Sequence, residues 1–142
     1  YDTKIYIEDN AGNPLTTLTD SNSIVSKLKA TSNDTLLAGT NGGTALKYNS
    51  DTWASQSVNL PHTKQTTHLQ SHGNDMFVVG AKQGKVSSIN ATSFTEERTF
   101  TASGDIIGIL PEFTGQFYAV GVTRDVASRR CCDALDRGRT VG

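Results

Sequence analysis

Asn74-Asp75-Met76-Phe77-Val78-Val79-Gly80 reads as a turn-forming pair, an unbroken apolar run and a glycine. A run of four apolar residues suits a strand buried on both faces and is too short for a helix. The same reading fits Asn33-Asp34-Thr35-Leu36-Leu37-Ala38-Gly39 and Gly115-Gln116-Phe117-Tyr118-Ala119-Val120-Gly121. Gly39, Gly80 and Gly121 follow one another at intervals of 41 residues, with no insertion. The same interval joins Leu28, Leu69 and Leu110 ahead of these segments, and Ile7, Tyr48 and Ile89 behind them; it also pairs Trp53 with Phe94. Four sets of matches in one register define an internal repeat.

Each unit predicts four short strands. The first is Ile24 to Leu28, repeated at Ile106 to Leu110, and the second is the apolar run ending in glycine. A turn follows, Thr40-Asn41-Gly42-Gly43 or Lys82-Gln83-Gly84, whose glycines supply the positive φ of a tight hairpin. The third strand alternates apolar and polar residues, as in Ala45-Leu46-Lys47-Tyr48 and Val86-Ser87-Ser88-Ile89. A polar fourth strand, Ala54 to Leu60 or Thr95 to Thr101, is the exposed edge. Four strands every 41 residues is the blade period of a β-propeller, so the fold class is all-β.

The sequence resembles the WD-repeat family. Gly73 through Gly80 and Gly84 through Asn90 follow its strand–turn–strand pattern, and Tyr48-Asn49 and Ile89-Asn90 stand where the family has Trp-Asp. The Gly-His dipeptide is absent, Pro61-His62 being its nearest approach, and no Asp occupies the turn between second and third strands. The family's structural hydrogen-bond network is therefore not carried over. A second likeness, to Asp-box propellers, rests on Leu37 to Gly43 followed by Ser50-Asp51-Thr52-Trp53, without the glycine that pattern places between its Asp and aromatic residue. Both likenesses imply propeller blades.

The repeat divides the chain into a partial blade at 1–20, full blades at about 21–61 and 62–102, and a partial blade at 103–123. That is an arc of about three blades, whose open ends would be completed by missing sequence or by identical chains; two copies would give about seven blades. A fragment is the expected origin. The last segment, 124–142, breaks the pattern and is expected to be helical, disordered or laid over the open edge. All seven Lys lie at or before Lys85 and five of the six Arg lie beyond Arg98, which separates the tail from the blades.

With 13 basic and 14 acidic side chains in 142 residues, net charge −1 and pI near 6.3, no basic excess points to nucleic acid or an anionic membrane. Cys131 and Cys132 are adjacent, so they lack the spacing of a zinc or dithiol site and are read as free thiols. His62 and His72 fall in loops and His68 on an inner strand, which argues against a shared metal. The carboxylates are scattered through turns, and no nucleophile or phosphate-binding motif is present. Catalytic residues, metals and cofactors are therefore not expected. Asn33-Asp34-Thr35 and Asn90-Ala91-Thr92 are sequons of the short kind that Thr-rich chains match by chance.

The expected function is a non-enzymatic scaffold that docks protein partners, self-association or the remainder of a propeller included, without nucleic acid or membrane. The upper face, formed by the loops between blades and the turns between second and third strands, would carry Asn41, His62, Lys64, Gln83 and Asp105. The alternative is an extracellular carbohydrate-binding propeller, motivated by the Asp-box likeness and by Trp53, although Trp53 is expected in the core beside its counterpart Phe94. The compartment is open between cytoplasmic and extracellular.

Overall fold

Val, Thr, Ile and aromatic residues favour pleated, half-buried backbone, and Gly, Asn and Asp punctuate them at short intervals. A computed structural model describes residues 2–31, 34–72, 75–102, 104–111 and 117–122. The tail 124–142, with both cysteines, lies outside the described residues. A hairpin of β1 (Ile5–Glu8) and β2 (Pro14–Leu18) comes first. Then β3 (Val25–Ala30), β4 (Thr35–Thr40), β5 (Thr44–Asn49) and β6 (Ser55–Asn59) form one four-stranded antiparallel sheet in chain order. A second follows from β7 (Thr66–His72), β8 (Met76–Ala81), β9 (Lys85–Asn90) and β10 (Glu96–Thr101), and a hairpin of β11 (Asp105–Pro111) and β12 (Phe117–Val122) ends the series. These are two complete blades flanked by two half-blades.

The core is divided among the gaps between neighbouring sheets. Leu37 and Ala45 of the first full blade meet Leu69, Phe77, Val79 and Ile89 of the second. Val78 and Val86 face the other way, onto Ile106, Ile109 and Ala119, while Ala38, Leu46 and Tyr48 receive Ile5 and Leu18 of the opening hairpin. Alternate residues of β4 and β8 therefore serve opposite interfaces, which is why both strands read as continuous apolar runs. The outer strands β6 and β10 are largely exposed and polar, as their sequence predicts.

The repeating glycines have a steric cause. A Cβ at Gly39 would enter the Thr66 side chain, and one at Gly80 would enter Ile106; both are residues of the next blade's inner strand. The lower turns repeat as closely. Asn49 and Asn90 accept, through their side-chain oxygens, the backbone N–H of Asp51 and Thr52 and of Thr92 and Ser93. Trp53 and Phe94 then adopt φ of 57° and 52°, a left-handed conformation that costs about 1–2 kcal/mol for a residue with a side chain. That turn aims both aromatics inward. Phe94 is buried edge-to-face on Phe77 with ring centroids 6.2 Å apart, and Trp53 packs partly buried against the first core. The expected equivalence of the two aromatics holds.

Strand pairing refines the repeat. Lys27 faces Gly39 and His68 faces Gly80, 41 residues on, but in the last hairpin Gly108 faces Val120, only 40 further. The bulges agree, falling at Ser26, Thr67 and Ile107. The structural counterparts of Leu69 and Gly80 are therefore Ile109 and Val120, rather than Leu110 and Gly121. At the other end, Ile5 opposite Leu18 holds the place of Ala45 opposite Val58, each pair packing on the following sheet. Ile7 thus matches Lys47, not Tyr48. The 41-residue repeat holds between the complete blades, and each half-blade lies one residue closer. Since a one-residue slip turns a strand's side chains to the opposite face, letter matching cannot fix the faces of the half-blades.

At the bulges, a hydroxyl links neighbouring blades. Ser26 Oγ donates to the Thr66 carbonyl at 2.9 Å, and Thr67 Oγ1 donates to the Ile106 carbonyl at 2.6 Å. Replacing Thr67 with Val keeps the shape and removes the donor, so Thr67→Val is expected to lower unfolding stability by about 1 kcal/mol. A shift of the urea midpoint at unchanged m-value would measure it; an unchanged midpoint would show that the link between blades contributes nothing.

Candidate functional site

The upper face is assembled by backbone bonds between turns and links. Asn41 N–H donates to the Ile24 carbonyl at 2.8 Å and Lys82 N–H to the Gln65 carbonyl at 3.0 Å, tying each β-turn to the link entering its blade. Leu60 N–H donates to the Gly43 carbonyl and Ala102 N–H to the Gly84 carbonyl, tying the same turns to the links that leave. Gly43 and Gly84 have φ of 81° and 74°, and a Cβ on either would collide with a carbonyl, that of His62 or of Ala102. Links and turns therefore form one continuous surface.

The two turns close differently. In the first, Thr40 Oγ1 accepts the N–H groups of Gly42 and Thr44 and donates to the Thr44 carbonyl at 3.0 Å. Ala81 at the equivalent place has no hydroxyl. There, Gln83 takes φ of 58° and its N–H donates 2.8 Å to the Asp105 carboxylate from the next inner strand. Asp105 thus has a structural task in closing the turn.

Of the residues expected there, Asn41 and Gln83 lie in the turns after β4 and β8, His62 and Lys64 in the link between β6 and β7, and Asp105 at the start of β11. His62 Nδ1 accepts the Lys64 N–H at 3.0 Å, while its Nε2 is buried without a hydrogen-bond partner among the described residues. Asn41 Oδ1 is likewise buried and unpaired among the described residues. Burial holds the His62 pKa below the ordinary imidazole value, and the charges of Lys85 and Lys64 push it the same way. Lys85 is the neighbour that sequence reasoning did not assign to the site. It opens β9 immediately after Gly84, and that position directly beside a turn was the available signal. Its Nζ donates to Thr101 Oγ1 at 3.0 Å.

The other histidines are separate. His68 is on the inner strand as expected, with its pKa lowered by burial, partly offset by the nearby Ile106 carbonyl, and lowered further by Lys27. His72 is the buried end of β7 rather than a loop residue, because β7 runs three residues beyond Leu69, where the repeat ends the first strand. Four residues of extended strand set His68 and His72 about 13 Å apart. No group of three or more His, Cys, Asp or Glu side chains suited to a metal occurs among the described residues. On the opposite face, Lys47 donates to the Ala91 carbonyl at 2.7 Å and lies 5.4 Å from the centre of the Phe94 ring, a structural contact between blades. Asn90, the asparagine of one sequon, uses its side-chain oxygen in the turn below β9.

No family model and no curated protein matches this chain. Solved structures do. A chain from the crystal structure of the mitotic checkpoint complex is 15% identical with a TM-score of 0.73 over 87% of this chain and 40% of that one. The β-propeller domain of Cps50 (Swd1) from Myceliophteria thermophila is 17% identical with a TM-score of 0.63, over 84% and 35%. The fold is that of β-propeller blades. The chain spans well under half the length of either of these structures.

Both His62 and His68 have depressed pKa values, so unfolding takes up protons as the solution is acidified. The stability each contributes is complete above the unfolded value of 6.5 and is lost as pH falls through the folded values. The urea midpoint is therefore expected to fall between about pH 7.5 and pH 5, with a shallower slope in a His62→Gln, His68→Gln double variant. Equal slopes would contradict the assignment.

Proposed function

We propose that the protein is a non-enzymatic scaffold that docks protein partners through its upper face. What supports this reading is a polar, mixed-charge group of residues: the turns of Asn41 and Gln83 are tied to the links beside them, Lys64 N–H donates to His62, and Gln83 N–H donates to Asp105 of the next blade. Such a surface suits a wet, modest-affinity protein contact, in which charge arrangement sets specificity. The similar structures support the same class of role, since one of them is part of an assembly named as a complex. Trp53, partly packed into the first core, does not stand free as a stacking platform for a sugar ring, which argues against carbohydrate recognition.

The test compares proteins captured by proximity labelling with wild type, an upper-face variant and a lower-face control. Lys64→Glu with Gln83→Ala leaves the Asp105 carboxylate and the Gln83 backbone donor in place. This variant is expected to lose about tenfold or more of the specific signal, while Asp51→Lys keeps it. Equal capture by the upper-face variant and wild type would refute the assigned face.

A further inference from the structure

The two half-blades are the complementary halves of one blade. In each complete sheet the order is inner strand, second, third and outer strand. β11 and β12 are an inner and a second strand; β1 and β2 are a third and an outer strand. Among the described residues, β12 has no ladder beyond β11, and β1 has none beyond β2 apart from the single bridge between Asp2 and Val25.

Exposed apolar residues mark both ends, and repeat equivalence says what each should touch. Leu69 and Ile109 are structural counterparts that are buried against the preceding blade, 9% and 8% exposed. Their counterpart in the first full blade is Leu28, which is 51% exposed; among the described residues, no inner half of a preceding blade lies beside it. Leu28 lines a groove with Ile5, Tyr6, Val25 and Ser26, and Tyr6 on its other wall is 61% exposed. At the far end Ile107, 53% exposed, holds the bulge position at which Ser26 and Thr67 reach forward to the next inner strand. Among the described residues, no next blade lies beside it.

We infer that a second copy of this chain fills the groove: the β11–β12 hairpin of one copy lies between β1 and β3 of the other. β11 then lies beside β3, as β7 does in the complete pair, and β12 pairs with the free edge of β1. Ile107 meets the start of the partner's β3, and the partner's Leu28 is covered. The Asp2–Val25 bridge gives way to a full ladder. The contact is head-to-tail, so two copies close on themselves only by making it twice. Two copies together hold four complete blades and two composite blades, a six-bladed ring, within the four to eight blades of known propellers, instead of the seven expected from length alone. The occupant is a second copy because the molecule itself carries the missing hairpin, in the required strand order, at its other end.

The experiment is size exclusion with light scattering on the 142-residue chain. A sharp species at twice 15.2 kDa is expected. Leu28→Asp and Ile107→Asp should each weaken the dimer by about 100-fold, since each puts a carboxylate where the junction buries an apolar side chain. Tyr6→Asp, on the other wall of the groove, should do the same, and circular dichroism should show the β-sheet retained in all three. Mixing Leu28→Asp with Ile107→Asp is the decisive arm. The hairpin of the first and the groove of the second are both intact, so one wild-type junction forms and dimer mass returns. A monomeric or polydisperse wild type overturns the proposal, as does a dimer that persists in the single variants. A mixture that stays monomeric also overturns it.

Discussion

Everything in this molecule depends on the second strand of each blade being buried on both faces. β8 shows the constraint most fully: Phe77 and Val79 point to one neighbour while Val78 points to the other. Each such side chain contributes about 1.5–3 kcal/mol on burial, and only a neighbouring blade can supply that burial. A lone blade would expose one or both faces of its own second strand. Gly39 and Gly80 set how closely the neighbours approach, because the inner strand of the next blade occupies the space where a Cβ would stand. Blades are therefore mutually dependent, and the cores lie between sheets rather than within any one of them.

That dependence explains which features were legible in the sequence. The buried strands announce themselves as short apolar runs ending in glycine, and the 41-residue spacing follows because each blade repeats the same steric solution. The paired aromatics Trp53 and Phe94 were visible for the same reason, whereas Asn49 and Asn90 were read only as standing in the place of the family's Asp. The half-blades were less legible. Leu110 and Gly121 match their counterparts as letters, yet pairing across β11 and β12 advances the register by one residue and moves Ile109 into the core. Neither a hydrophobic leucine nor a glycine reports which face it occupies until a partner strand fixes the pleat.

The upper face was legible in outline, since the repeat alone decides which loops emerge together. Its chemistry was not. Asp105 looked like a free surface carboxylate, but Ala81 lacks the hydroxyl that closes the equivalent turn through Thr40, and Asp105 accepts the Gln83 N–H instead. Lys85 drew no reading of its own, although its charge helps to depress the His62 pKa. Such compensations between blades are tertiary facts: the sequence shows that a residue type has changed at a repeat position, and the structure shows what replaces it.

Hydrogen exchange resolved by residue tests the central claim, that double-sided burial of the second strands holds the arc together. The account predicts that the amides of Ala38, Val78 and Val79 exchange slowest and together, through the largest opening, while those of β6 and β10 exchange early. Protection in β6 and β10 equal to that in β8, or two full blades that open independently, would contradict it.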